Sequence, residues 1–145
     1  MAVSVKRIEL WRGEVANRTG TLAGTLAPLA EAGADLRLVM VYRFPGDESR
    51  GAVEVYPVTS KKVRAAARGA GLSESGIPAL LVEGDDRPGT GAAIARAVAE
   101  AGINLAFLVG QVVGRRYAAV IGFDSEQDLK RAATMIRKAK PASRR

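Results

Sequence analysis

The sequence predicts an α+β protein built from two ferredoxin-like βαββα(β) repeats, each an antiparallel sheet with its helices on one face. Three observations predict it. The segment "NRTGTLAGTLAPLAEAGADL" (Asn17 to Leu36) aligns without a gap on "DRPGTGAAIARAVAEAGINL" (Asp86 to Leu105), at an offset of 69 residues. Arg18/Arg87, Gly20/Gly89, Thr21/Thr90, Ala23/Ala92, the block Ala-Glu-Ala-Gly and Leu36/Leu105 coincide, the mark of a duplicated unit. The order strand, helix, strand, strand, helix occurs twice. Between the copies, Ser73 to Pro78 ("SESGIP") has the small, polar and Gly/Pro character of a linker. Residues 1–72 are thus expected to form the first repeat, 73–78 a linker or shared strand, 79–140 the second repeat and 141–145 a basic tail.

In the first half, Ile8 and Leu10 alternate with charged residues and predict a strand over Val5 to Arg12. A turn at Asn17 to Gly20 leads into a helix over Thr21 to Ala32. Its Leu22, Leu26, Leu29, Ala30 and Gly33 follow the helical period and mark a buried face. Gly33 ends it, since glycine adopts the left-handed conformation without a Cβ penalty. Pro28 removes one hydrogen bond and presses on the carbonyl of Gly24, which predicts a local bend rather than two helices. Strands follow at Leu36 to Phe44 and Ala52 to Val58, around the polar turn "PGDESR". A short helix begins near Ser60 with Val63, Ala66, Ala67 and Ala70 on one face. The segment Gly71 to Pro78 is available as a fourth strand.

The second half repeats the plan. A strand over Ala79 to Glu83 and a turn at Asp86 to Gly89 precede a helix over Thr90 to Ala101, with Ile94, Ala97, Val98 and Ala101 inward. Strands at Asn104 to Val113 and Arg116 to Phe123 flank the tight turn Gly114-Arg115. Ser125 is a good N-cap for the last helix, and Glu126 and Asp128 suit its positive end. Leu129, Ala132, Ala133 and Ile136 form that helix's apolar stripe. No alternating segment follows it, so this sheet's edge is open, covered or paired with another copy.

Composition narrows the chemistry. With 145 residues and 48% hydrophobic residues, the chain has enough apolar side chain for a packed core. No apolar run approaches the ~20 residues that span a bilayer. The opening "MAVSVKRIELW" has no apolar signal core, so a cytoplasmic protein with no membrane partner is expected. There is no cysteine and no histidine, which excludes disulfides, thiol nucleophiles, Cys/His metal sites and the commonest general base. No nucleophile–base pair stands out, and no enzyme activity, catalytic residue, metal site or cofactor is expected. "GTG" at Gly89 to Gly91 lacks the Gly-Lys-Ser/Thr of a phosphate loop and the third glycine of a dinucleotide fingerprint. Asp85-Asp86 is a solvated pair on a loop rather than a magnesium site. Of the net charge of +7, five basic groups (Arg137, Lys138, Lys140, Arg144, Arg145) belong to the last nine residues, leaving a nearly neutral body.

These residues resemble a tandem of ACT domains, the small βαββαβ ligand-binding modules attached to enzymes and regulators of amino-acid metabolism. The marks are the acidic/Asn-Arg-Pro-Gly turn after the first strand, the apolar helix, and the "AGINL" exit into the second strand. The first half departs from the pattern, with Thr19 in place of proline and Asp35 in place of asparagine. The resemblance implies a non-catalytic regulatory protein that binds a free amino acid where two such units pair. It implies ligand contacts at Asp86 and Asn104 in the second half, with Asn17 and Asp35 in the first. It also implies a homodimer through sheet or helix pairing, and an enzyme or regulator as partner.

Physical chemistry gives those positions reasons of their own. A helix N-terminus offers unpaired N–H groups and positive potential to a carboxylate, and both repeat turns lead into one at Thr21 and Thr90. Gly20 and Gly89 let a ligand approach the backbone. Asp86 or Asp35 can take an ammonium, and Asn104 can both donate and accept. The plainer role of Asp86, Asn17 and Asn104 is turn chemistry, and Arg18 and Arg87 are expected to support the fold. Trp11, near the first turn, is expected to report ligand by its emission. Two alternatives are a nucleic-acid-binding protein on a ferredoxin-like sheet using the basic tail, and a ligand-free dimerisation module. With aromatic residues at only 5%, the stacking side chains that RNA-binding sheets use are scarce, and nucleic acid is not the expected partner.

Overall fold

The computed structural model describes residues 3–139; Lys140, Arg144 and Arg145 of the basic tail lie outside the described residues. The elements run β1 (Val3–Ile8), β2 (Trp11–Ala16), α1 (Thr21–Glu31), β3 (Leu38–Phe44), β4 (Asp47–Tyr56), α2 (Lys61–Gly69), β5 (Ser73–Glu74), β6 (Ala79–Asp85), α3 (Thr90–Glu100), β7 (Phe107–Val113), β8 (Arg116–Gly122) and α4 (Glu126–Lys138). They pack as two units. One is Glu9–Gly76, and the other joins residues 3–8 to residues 77–139. Each is an antiparallel four-stranded sheet with two helices, the predicted α+β class.

Where the alternation of Ile8 and Leu10 predicts one strand, there are two, and they serve different sheets. β1 pairs with β6, from Val3 opposite Gly84 to Ile8 opposite Ala79. β2 pairs with β4, from Trp11 opposite Val55 to Ala16 opposite Arg50. The expected bare edge of the second repeat's sheet is therefore covered, by the chain's own first strand, in the order β1-β6-β8-β7. Val3 and Val5 pack on that unit's core, and Arg137 of α4 donates from Nη2 to the Val5 carbonyl at 3.0 Å. Two-residue β5, inside Gly71 to Pro78, is the fourth strand of the other sheet, in the order β3-β4-β2-β5.

In the unit Glu9–Gly76, Leu29 of α1 is fully buried with Val53 and Val55 of β4, Trp11 of β2 and Val63 and Ala67 of α2. Burying one such leucine is worth about 1.5–3 kcal/mol, so this seam fixes α1 on the sheet. α1 continues through Pro28 as one helix. Its expected inward residues Leu22 and Ala30 are exposed instead. The helix face toward the sheet is centred on Thr25 and Leu29, one turn apart, and Thr25 Oγ1 donates to the Thr21 carbonyl at 2.9 Å.

The other unit has the larger core, with Leu80, Ile121, Ile94, Phe123 and Ile136 all at or below 1% exposure. Ser125 caps α4 as expected, its Oγ accepting from the Asp128 amide at 3.1 Å. Among the described residues no helix is long and apolar enough to cross a membrane.

Candidate functional site

The two duplicated turns have nearly the same backbone. Gly20 and Gly89 are the N-cap residues of α1 and α3, both left-handed at φ 88° and 86°, and neither helix is capped by a side chain. The amides of Thr21 and Thr90 bond the Arg18 and Arg87 carbonyls, each at 3.2 Å. Each turn is tied to the neighbouring hairpin: the Asn17 amide to the Ser49 carbonyl at 2.9 Å, the Asp86 amide to the Arg115 carbonyl at 2.8 Å. A non-glycine residue at either cap would be strained by its positive φ. The first-turn N–H groups of both helices are left without side-chain acceptors, as an anion-holding tip requires.

What stands in front of the two tips differs. Before α1 lies a cavity of about 300 Å³ between the end of β2, the start of α1 and the outer strand β3. Its apolar lining is Val15, Ala16, Leu22, Val41 and Val53, with Gly51 among them; its polar lining is Asn17, Arg18, Thr21 and Arg43, and Tyr42 also borders it. No carboxylate lines it. Asn17 is held in place by its side-chain amide, which donates to the Glu48 carbonyl at 2.7 Å. Tyr42 alternates with the lining residues Val41 and Arg43, so its ring is on the sheet's other face, where its hydroxyl donates to Glu54 Oε2 at 2.9 Å. Glu54 is 1% exposed, and its Oε1 has no hydrogen-bond partner among the described residues. Burial, and then the Glu54 carboxylate, hold the Tyr42 phenol above its ordinary range, with Arg12 opposing.

Strand register identifies the counterpart of this cavity in the second repeat. Val15 faces Gly51 across β2 and β4, as Gly84 faces Tyr117 across β6 and β8. Val41 faces Val53, as Gly110 faces Ala119. Tyr117 thus occupies the position of Gly51, and it is buried in the second core, which pushes its phenol pKa up. A Cβ added to Gly110 would sit 2.9 Å from the Tyr117 hydroxyl, and one added to Gly91 at 3.7 Å. These two glycines stand where the first repeat has Val41 and Leu22. The phenol of Tyr117 therefore lies between the tip of α3 and β7, in the space that is open in the first repeat.

No family model and no curated protein matches the sequence. Solved structures do match. The chain is similar to protein BT0572 from Bacteroides thetaiotaomicron, with a TM-score of 0.76 and 12% identity over 94% of this chain and 92% of that one. It is similar to the regulatory subunit of aspartate kinase from Thermus thermophilus, with a TM-score of 0.64 and 17% identity over 94% and 95%. The regulatory subunit of aspartate kinase from Thermus flavus matches with a TM-score of 0.62 and 16% identity over 95% and 96%. The fold is that of a tandem of ACT-type domains. At these identities the likeness is one of fold, and it spans nearly the whole chain.

Within the first ACT-type repeat, Asn17 and Thr21 line the cavity and Gly20 forms the turn beneath it. Asp35 does not line it; it is exposed in the connection between α1 and β3. In the second repeat Asp86, Gly89 and Asn104 are exposed, while Thr90 is buried with its hydroxyl donating to the Arg87 carbonyl at 2.8 Å. Arg18, expected to support the fold, is part of the cavity lining. So are Leu22, Val41, Tyr42, Arg43 and Gly51, which no motif singles out. The pairs Leu22/Gly91 and Val41/Gly110 were available as signals at the repeat offset, because a large residue against a glycine marks a changed cavity. Trp11 lies in the core under the Arg68 guanidinium, 5.0 Å from its ring centre, at the far end of β2 from the turn. Five residues of strand put it about 17 Å from Ala16, so it is poorly placed to report this cavity.

Proposed function

We propose that this chain is a non-catalytic regulatory protein that binds a free amino acid in the cradle of its first repeat. The observation that carries this is the cavity of about 300 Å³ set against the uncapped tip of α1, a volume suited to a small metabolite. The first-turn amides of α1 and the Arg18 and Arg43 side chains supply the field for a carboxylate, while Asn17 and Thr21 supply donors and acceptors around it. The fold shared with regulatory subunits of aspartate kinase supports a regulatory role beside an enzyme. The lack of histidine and cysteine fits a module that senses rather than reacts.

Self-association belongs to the same reading. β3 and β7 are the outer strands of their sheets, and Val39, Val41, Leu108, Val112 and Val113 are exposed on them. A homodimer forms by covering such an edge. Nucleic acid finds less support: the Tyr42 hydroxyl is bonded to the Glu54 carboxylate, and the Arg12 and Arg50 guanidinium groups over the Phe44 ring are both paired with Glu14.

The test is thermal denaturation of the full chain with each of the twenty amino acids in turn. A ligand at a hundredfold excess over its dissociation constant stabilises by about 2.7 kcal/mol. An unchanged melting temperature with all twenty overturns the proposal.

A further inference from the structure

At the place where the first repeat has a cavity, the second has the ring of one of its own residues. The backbones around the two places match in turn geometry and in register up to the pairs Arg43–Gly51 and Val112–Tyr117; beyond Arg43 the first hairpin is bulged, and a Cβ on Gly51 would meet the Tyr42 carbonyl oxygen at 2.5 Å. The difference therefore lies in the side chains and in the backbone beside Gly51. Gly51, Val41 and Leu22 in the first repeat stand against Tyr117, Gly110 and Gly91 in the second. In the second, two glycines make room for one phenol, whose hydroxyl comes within 2.9 Å of where a Gly110 Cβ would be. In the first, that ring is missing and the space is open to a visitor.

We infer that Tyr117 is a built-in occupant of the second cradle and marks what the first one takes: an amino acid with an apolar side chain of up to ring size, one molecule per chain. This rests on the amino-acid reading above and narrows it. The charge pattern points the same way. Val15, Leu22, Val41 and Val53 form the apolar wall, and the charged lining is Arg18 and Arg43 alone. A cationic side chain such as that of lysine would meet two like charges and no carboxylate. A leucine or phenylalanine side chain would instead exchange water for hydrocarbon, and its carboxylate would meet the helix tip and the two guanidinium groups. Closure by Tyr117 makes the second cradle insensitive to the metabolite, so the duplicated chain carries a single sensing site.

The experiment is isothermal titration of the full chain with L-leucine, L-phenylalanine, L-lysine and L-aspartate, on the wild type and on Val41→Trp, Tyr117→Ala and Tyr117→Phe. Val41→Trp fills the first cradle, Tyr117→Ala empties the second, and Tyr117→Phe keeps it closed. The expected result is one apolar amino acid bound per wild-type chain, with no heat from lysine. Binding is lost in Val41→Trp, stays at one per chain in Tyr117→Phe and rises to two in Tyr117→Ala. Tyr117→Val serves as the opening variant if Tyr117→Ala does not give a cooperative melt, and the wild-type stoichiometry is decisive by itself. Two molecules per wild-type chain, or one in a folded Tyr117→Ala, overturns the assignment of Tyr117. Binding of lysine or aspartate in preference to leucine and phenylalanine overturns the apolar ligand class but leaves the amino-acid reading standing. Silence with every amino acid on every variant removes that reading, and this inference with it.

Discussion

Gly110→Ala tests the placement of Tyr117 through stability alone, without any ligand. The added methyl group would lie 2.9 Å from the Tyr117 hydroxyl oxygen, closer than carbon and oxygen tolerate without movement. Gly110 is in β7 at ordinary strand geometry, with no positive φ to complicate the change. Overpacking of this kind costs about 1–3 kcal/mol. Against it, alanine in a strand interior gains about 0.5–1 kcal/mol over glycine from the unfolded chain's lost freedom. The net effect in the wild type is a loss of about 0–2.5 kcal/mol. In a Tyr117→Phe background the hydroxyl is gone. The nearest remaining atoms are the ring carbon Cζ at 3.5 Å and the Ala118 carbonyl oxygen at 3.7 Å, both ordinary contacts. There the same substitution becomes neutral or stabilising. The sign therefore changes between backgrounds, a coupling of about 1–3 kcal/mol between the two sites. Urea melts followed by far-ultraviolet circular dichroism would show it as a midpoint lowered by about half a molar in one background and raised or unchanged in the other. Equal shifts in both backgrounds would mean that the Tyr117 ring does not lie over Gly110, and the comparison of the two cradles would collapse.

Removing residues 1–8 takes away β1, with Ile8 buried and Val3 and Val5 half-buried. The loss is about 3 kcal/mol or more for the unit built on β6; hydrogen exchange should then quicken at β6 and β8 while β2 and β4 keep their protection, and equal quickening in both units would contradict the pairing. Gly51→Ala would bring a Cβ to 2.5 Å from the Tyr42 carbonyl oxygen, a backbone atom that can move only with the whole strand. It should cost about 1–3 kcal/mol in a urea melt and weaken amino-acid binding together with it. Hydrogen bonds from Arg7 lower the Glu126 pKa, and those from Ser49 lower that of Asp47. With the folded values below the unfolded ones, their stabilisation is present above the ordinary carboxylate range and is lost as pH falls through the folded values. Glu126→Gln should therefore flatten the acid limb of a melting-temperature profile below about pH 4 and leave the neutral plateau parallel to the wild type.

Much of the fold is legible in the sequence because its cues are local. The offset between Asn17 and Asp86 marks the duplication, and Leu29 and Val98 at equivalent helical positions mark the buried seams of α1 and α3. Ser125 announces α4 by a bond to an amide three residues on. The first strand is different. Alternation over Ile8 and Leu10 is the same whether the chain continues along one sheet or changes sheets at Glu9 and Leu10. The pattern specifies which faces are apolar but not which neighbour supplies the hydrogen bonds. The candidate site divides in the same way. Asn17, Gly20 and Thr21 stand out because turn and helix-cap chemistry is written within a few residues, whereas Val41, Tyr42 and Gly51 join them only through the pairing of β3 with β4.

By itself the sequence determined two copied units, each with a dipolar helix tip behind a glycine turn, and a chemistry without histidine or cysteine. Those properties follow from spacing and composition along the chain. Tertiary structure alone decided that the first strand completes the second repeat's sheet, and that one cradle is open while the other is filled by Tyr117. Both depend on which residues meet across strands distant in sequence, and space left empty by Gly51 or taken by a phenol exists only once those strands are side by side.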